Sequence, residues 1–347
     1  MNRNAVAISS SVLFVILAAI LVLTPVPYVT WRPGTPVNVL ASTDSGPIIQ
    51  VSGAPTYETS GELLLTVVST SKVTSNVSLP EAMMVYFAED SDAMPRDLIY
   101  PPGKSGEEVS AEAVASMDTS RTNAIVAALR AAGISVTERP MVSSVVMSGP
   151  SGGRLEPGDL IHTVNGQAVT TTVEVARLVA SSQVGAPVTF EVSRDGAPQS
   201  VTVTTAPSSQ DSSRAMVGIG LGIGYEYSPR VSYGLSDDIV GPSAGLVFAL
   251  GIYDRLTENP LMGDEIVAGT GEIDPSGQVR PIGGVREKIK GAEAAGASVF
   301  LLPLDNCDAV GDLDTAVRLV PVATLRDAIA ALQFLDEGNE AEVPTCD

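Results

Sequence analysis

The apolar positions fall into stretches of different period. No charged residue occurs between Asn4 and Trp31, and Ala5 to Leu23 is almost wholly apolar. At 1.5 Å rise per residue this run predicts a helix long enough to cross a hydrocarbon core, ended by Pro25 and Pro27. A cleaved signal peptide has a shorter apolar core, roughly 7–15 residues, and an Ala-x-Ala-like site. Here Leu-Thr-Pro-Val-Pro follows a longer run, so an uncleaved single-span anchor is expected. Arg3 and the amino terminus on one side, against Arg32 on the other, favour a body on the extracytoplasmic side.

Beyond the anchor, Tyr28 to Ser45 is rich in Pro, Gly, Ser and Thr and reads as a linker or irregular strand. Gly61 to Ser69 reads as one buried strand, and Leu79 to Phe87 and Ala111 to Ala132 as helices. Ile125, Ala128 and Leu129 share a face of the second, and Gly133 is its stop. Gly103-Lys104-Ser105 ends like a phosphate-binding loop. However, Leu98 stands where the first glycine belongs, no strand leads in and no helix clearly follows. It reads as a surface loop, and no nucleotide-binding site is expected.

Residues 134–206 show a small-domain pattern. Val142 to Val146 is strand-like, Pro157-Gly158 is a turn, and Asn165-Gly166 is a hairpin signal. Thr171 to Ser182 is a helix opened by a capping box from Thr171 to Glu174. Strands over Val188 to Ser193 and Gln199 to Thr205 meet at Asp195-Gly196. After a Ser-rich hinge, Val217 to Leu221 opens a further domain. Leu246 to Ile252, apolar all round, predicts a buried helix.

Composition narrows the chemistry. Of 347 residues, 44% are hydrophobic and 17% charged, which excludes long disorder. A net charge of −20 without a basic stripe excludes nucleic acid as a partner. His162 is the only histidine. With Cys307 and Cys346 as the only cysteines, a zinc site of the usual ligands has no donor set, and no metal is expected. His162 lies on a strand inside the small domain and reads as a satisfied strand histidine. The base of any hydrolase here is therefore Lys, Asp or Glu. The two cysteines are either a disulfide or two free thiols.

Two elements carry candidate chemistry. Gly241-Pro242-Ser243-Ala244-Gly245 runs into the buried helix, placing Ser243 at a helix N-terminus, where N–H groups and the dipole favour an alkoxide and an oxyanion. By itself the motif is short and the serine reads as an N-cap, a very common role. Ala268 to Ile273 leads through the turn at Asp274-Pro275-Ser276-Gly277 to Pro281-Ile282-Gly283-Gly284 and then a helix from Val285. On a helical wheel Val285, Lys288, Ile289, Ala292 and Ala295 share one side, with Arg286, Glu287, Lys290 and Glu293 on the other. Lys288 is thus expected among apolar walls, where desolvation lowers a lysine pKa and makes it a base.

In this order, Gly241-Pro242-Ser243-Ala244-Gly245, Thr270-Gly271-Glu272-Ile273, Pro281-Ile282-Gly283-Gly284, Glu287-Lys288 and Gly296 to Pro303 resemble the proteolytic domain of Lon proteases, over about residues 217–335. Leu155 to Gly166 resembles a PDZ domain of the bacterial protease type. The first resemblance implies a Ser-Lys dyad of Ser243 and Lys288, supported by Thr270 and Ala244. The second implies a groove for an extended peptide, with its loop near Ala132-Gly133-Ile134. The chain departs from the Lon pattern in carrying no ATPase module, and Val240 stands where bacterial Lon often has Asp. Together the two resemble membrane-bound PDZ–Lon-like proteases.

The expected architecture is an α/β (α+β) Lon-type domain, a mainly β PDZ domain and one N-terminal transmembrane helix. Its parts are an anchor at 1–30, an α/β region at 31–130 that partly joins the protease sheet, a PDZ domain at 131–207, a Lon-like domain at 212–336 and a tail at 337–347. The expected function is serine endopeptidase action on unfolded or flexible polypeptides, without cofactor, metal or nucleotide. The PDZ domain engages or gates the substrate, and the resemblance implies a homo-oligomer. The alternative is a PDZ adaptor whose Lon-like domain is a non-proteolytic scaffold.

Overall fold

The computed structural model describes residues 3–43, 46–71, 77–88 and 90–346. Helix α1 (Arg3–Leu23) has 21 residues, and no part of its apolar window from Asn4 to Leu23 is buried. Its length, about 31 Å at the helical rise, and its composition suffice to cross a membrane. Beyond α1 the chain forms two compact units. One comprises the residues up to Gly133 and from Pro229 onward; the other is Ile134–Ser228.

The first unit begins at β1 (Tyr28–Pro33), which pairs antiparallel with Val68–Thr70 on one side and Asp92–Pro95 on the other. Its main sheet has the order Val37–Asn38, β2 (Glu62–Leu65), β3 (Ile266–Gly269), β4 (Val299–Pro303), β5 (Arg318–Val322). β2 to β5 run parallel, and Val37–Asn38 is antiparallel to β2. Every residue of β4 is buried, as parallel strands covered on both faces require. Leu64, Ala268, Phe300 and Leu302 point to one face, where Val285, Ile289 and Ala292 of α4 (Val285–Ala294) complete a core. On the other face lies α3 (Gly245–Leu256), buried from Gly245 to Ile252 and packed against β2 and β3. α3 is flanked by α2 (Gly106–Ala131) and α5 (Leu325–Asp336).

The stretch read as one strand from Gly61 to Ser69 is two. It breaks at Thr66-Val67, because Thr66 Oγ1 donates to the Gly269 carbonyl (2.9 Å) and the Gly34 N–H donates to the Val67 carbonyl (3.0 Å). Glu62–Leu65 thus stays in the main sheet while Val68–Thr70 joins β1. A helix does follow Gly103-Lys104-Ser105: Ser105 and Glu108 form a capping box that starts α2 five residues before the expected Ala111. Lys104 is held by Glu112 at 2.6 Å. Cys307 and Cys346 form a disulfide.

The second unit is an antiparallel sheet in the order Ala197–Thr204, Pro187–Arg194, Leu160–Val164, Thr137–Val145, Ile219–Glu226. Its core gathers Phe190, Ile161, Val164, Val175, Val188 and neighbours. Both hairpin turns are at the expected dipeptides, with φ of 51° at Asn165 and at Asp195, each followed by a positive-φ glycine. The helix Thr172–Ala180 carries the expected capping box. Val217 to Leu221, read as the opening of the following domain, belongs instead to this unit. Ile219–Glu226 pairs along the whole of Thr137–Val145 and takes the sheet edge. At Ala132-Gly133-Ile134, Gly133, at φ 73°, ends the turn after α2. His162 Nε2 lies 2.8 Å from Ser193 Oγ, a strand histidine with a local partner.

Candidate active site

The site lies at the C-terminal ends of the parallel strands, where loops leave the sheet and helices begin. Thr270 follows directly on β3, is fully buried, and its N–H donates to the Leu301 carbonyl at 3.0 Å. Ser243 is half-buried in a 3-10 turn, Pro242–Ala244, that feeds α3. Three contacts hold this turn. Ser120 of α2 donates to the Pro242 carbonyl (2.8 Å), the Gly271 N–H donates to the Ser243 carbonyl (2.9 Å), and the Leu246 N–H donates to the Gly271 carbonyl (3.0 Å). The glycine of Pro-Ser-Ala-Gly is required by space. A Cβ on Gly245 would lie 2.8 Å from Ile273 Cγ2 and 2.9 Å from Ser120 Oγ.

Lys288 arrives from α4. Gly284, the residue before α4, has φ 70°, and a Cβ there would meet Trp31 and Val68 at 2.9 Å. Lys288 is only 2% exposed. Its Nζ lies 2.8 Å from Ser243 Oγ and 2.8 Å from Thr270 Oγ1. Burial alone lowers its pKa to about 7. The Thr270 hydroxyl donates to the Ser243 carbonyl at 3.2 Å, so its lone pairs are left for an N–H of Lys288. A neutral Lys288 can donate one N–H to Thr270 and keep its single lone pair for the serine O–H. The three side chains are therefore competent for proton removal from Ser243.

Two side chains on α4 depart from the wheel. Glu287, expected outside, is 7% exposed because β1 also packs on α4. Burial, then the nearby Asp92, raises its pKa. Ala295, expected inside, is exposed as the helix C-cap. Arg286 and Lys290 are half-exposed and bond the Val310 and Asp314 carbonyls. Ser243, Ala244 and Lys288 line a cleft of about 490 Å³, bordered also by Thr66 to Thr70, Met117 and Asp238 to Gly241. Asp238 thus reaches the cleft, and the exposed Val240 borders it. Ser120, Met117 and Trp31 went unnoticed in the sequence. Only the polar Ser120 on the apolar face of α2 signalled a role. Among the described residues no group of three or more His, Cys, Asp or Glu is placed to hold a metal.

Residues 237–331 match the family model of the Lon protease (S16) C-terminal proteolytic domain, and residues 119–205 match that of the PDZ domain. The chain carries a Lon-type proteolytic domain and a PDZ domain. The Lon-type match contains all four residues singled out for chemistry, Ser243, Ala244, Thr270 and Lys288. Over 104 residues the chain is 35% identical to Lon protease 2 of Bacillus subtilis (strain 168), covering 30% of this chain and 18% of that protein. Over 94 residues it is 43% identical to Lon protease 1 of Sorangium cellulosum (strain So ce56), covering 26% and 11%. The chain thus spans less than a fifth of the length of these curated relatives. The solved PDZ domain of the SdrC-like protein from Listeria monocytogenes aligns at 23% identity and a TM-score of 0.22, over 24% of this chain and 86% of that one.

Proposed function

We propose that the chain is a membrane-anchored serine endopeptidase in which Ser243 attacks a peptide carbonyl and Lys288 is the general base. The observation that carries this reading is the 2.8 Å approach of a 2%-exposed Lys288 to Ser243 Oγ. Neutral Lys288 takes the serine proton and returns it to the leaving amine. Thr270 orients Lys288 through its 2.8 Å hydrogen bond. Backbone N–H groups of the turn at Ser243 and Ala244 face the developing oxyanion.

The substrates are unfolded or flexible polypeptides that reach the cleft without an ATP-driven motor in this chain. The PDZ domain binds an extended segment along its edge strand, Ile219–Glu226, by strand addition. The helix α1 anchors the chain in the cell membrane. The disulfide between Cys307 and Cys346 supports a body on the extracytoplasmic side, where disulfides persist. A homo-oligomer is part of this reading, by resemblance to Lon-like domains.

The test follows cleavage of a fluorescent unfolded protein by the full-length chain in detergent micelles, without ATP, for wild type, Ser243→Ala and Lys288→Ala. Loss of activity in both variants, with the fold intact, is the expected result. Activity that survives Ser243→Ala overturns the assignment of the nucleophile. A folded but inactive wild type that still captures peptides returns weight to the PDZ adaptor.

A further inference from the structure

The three residues Pro25 to Pro27, just beyond α1, are tied by backbone hydrogen bonds to two segments with exposed apolar tips. The Val26 N–H donates to the Val77 carbonyl (2.9 Å), one residue before Ser78, the N-cap of the helix Leu79–Tyr86. The Arg96 N–H donates to the Pro27 carbonyl (2.9 Å) and opens the turn that carries Leu98. At no more than about 3.6 Å per residue, these anchoring bonds lie within about 15 Å of Leu23, the last residue of α1.

The helix Leu79–Tyr86 buries Ala82 and Val85 on its inner face. Its outer face and end present Met83, Met84, Tyr86 and Phe87, with Met84 75% and Phe87 74% exposed, and Leu98 is 65% exposed. The rings of Tyr86 and Phe87 stand edge to face, centroids 5.3 Å apart. A cluster of large apolar side chains of this kind marks an interaction surface rather than a solvated one. Aromatic and Met side chains beside a membrane span belong to the headgroup boundary, where an apolar body and a polar edge are both satisfied.

We propose that this rim, Met83, Met84, Tyr86, Phe87 and Leu98, docks on the surface of the lipid bilayer that α1 enters. The proposal rests on the anchor reading of α1. The contact is apolar and not electrostatic. Asp90 and Asp97 are exposed beside the rim, and Glu81 lies 3.7 Å from Arg32. Zwitterionic lipid therefore suffices. Docking gives the protease body a second point of attachment and holds the segment after α1 against the bilayer.

The test reconstitutes the full-length chain into phosphatidylcholine vesicles with plain or brominated acyl chains. Met84→Trp and Phe87→Trp each add a reporter at an exposed position. The wild type is the reference, since its only tryptophan, Trp31, packs on Gly283 and Gly284. The expected result is flotation with the vesicles, with added emission at 84 and 87 that is blue-shifted and lost in brominated lipid. Flotation with water-like, unquenched emission overturns the docking and leaves the anchor standing. Shielded but unquenched emission in a higher-mass assembly assigns the rim to a second copy of the chain and also overturns it. A processed chain that does not float removes the anchor reading and the proposal with it.

Discussion

Thr270 and Lys288 are joined by a buried 2.8 Å hydrogen bond in which the threonine oxygen is the acceptor, because its own proton is directed to the Ser243 carbonyl. The threonine thereby selects which face of the lysine amine meets the serine. Thr270→Val keeps the shape but removes the acceptor, leaving an N–H of Lys288 unpaired. At 1–3 kcal/mol for such a group, turnover falls about 5- to 150-fold. Thr270→Ser retains the hydroxyl and stays within a few-fold of wild type. Steady-state kinetics of the pair check this; equal losses in both would make Thr270 a packing residue only.

Burial pushes Lys288 down to about 7 from the ordinary lysine value of 10.5. Activity on an unfolded substrate therefore rises as pH passes through about 7 and levels off above it. A flat profile from pH 6 to 9 would contradict a lysine base.

The same shift governs stability. Between about pH 7 and 10.5 the unfolded chain binds the lysine proton and the folded one does not, so this group's contribution to stability rises with pH across that window. Lys288→Met abolishes that contribution and raises the unfolding temperature most below pH 7, where wild type buries a charge. Thermal melts of both proteins at pH 6 and pH 9 measure the difference. A variant melting below wild type at pH 6 would mean that the amine contributes more through its bonds than it loses by burial.

Gly245→Ala places a methyl group 2.8 Å from Ile273 Cγ2 and 2.9 Å from Ser120 Oγ. The turn carrying Ser243 must then shift. Overpacking of this kind costs roughly 1–3 kcal/mol, against a helix-propensity gain of about 1 kcal/mol. The expected outcome is a small change in melting temperature with a large loss of turnover. Full activity would show that the Ser243 turn tolerates displacement.

The disulfide between Cys307 and Cys346 closes a loop with a sequence separation of 39 residues. By the chain-entropy account this is worth about 4 kcal/mol. Replacing both cysteines with serine lowers the denaturant midpoint accordingly. Turnover at low temperature is unchanged, since Ser243, Thr270 and Lys288 lie outside the loop. An unaltered midpoint would mean that the tail does not need the bond.

What the sequence determined by itself was local. Asn165-Gly166 and Asp195-Gly196 demand positive φ wherever they sit, and both form the expected turns. Thr171 and Glu174 cap their helix without outside help. The apolar side of α4 was enough to point Lys288 inward, and spaced motifs brought Ser243, Thr270 and Lys288 into one reading. Tertiary structure decided what depends on partners distant in the chain. Ile219–Glu226 joined the second unit because Thr137–Val145 offered it a full-length edge. The run from Gly61 to Ser69 broke because Thr66 donates to the Gly269 carbonyl and the Gly34 N–H donates to the Val67 carbonyl. Glu287 is buried because β1 covers a second side of α4, which no single helical wheel contains. Periodicity records one buried face and backbone preference one residue's angles. Which strand edge, carbonyl or ring completes the structure is settled only when segments distant in the chain meet, as when Ser120 closes on Pro242 and Trp31 on Gly284.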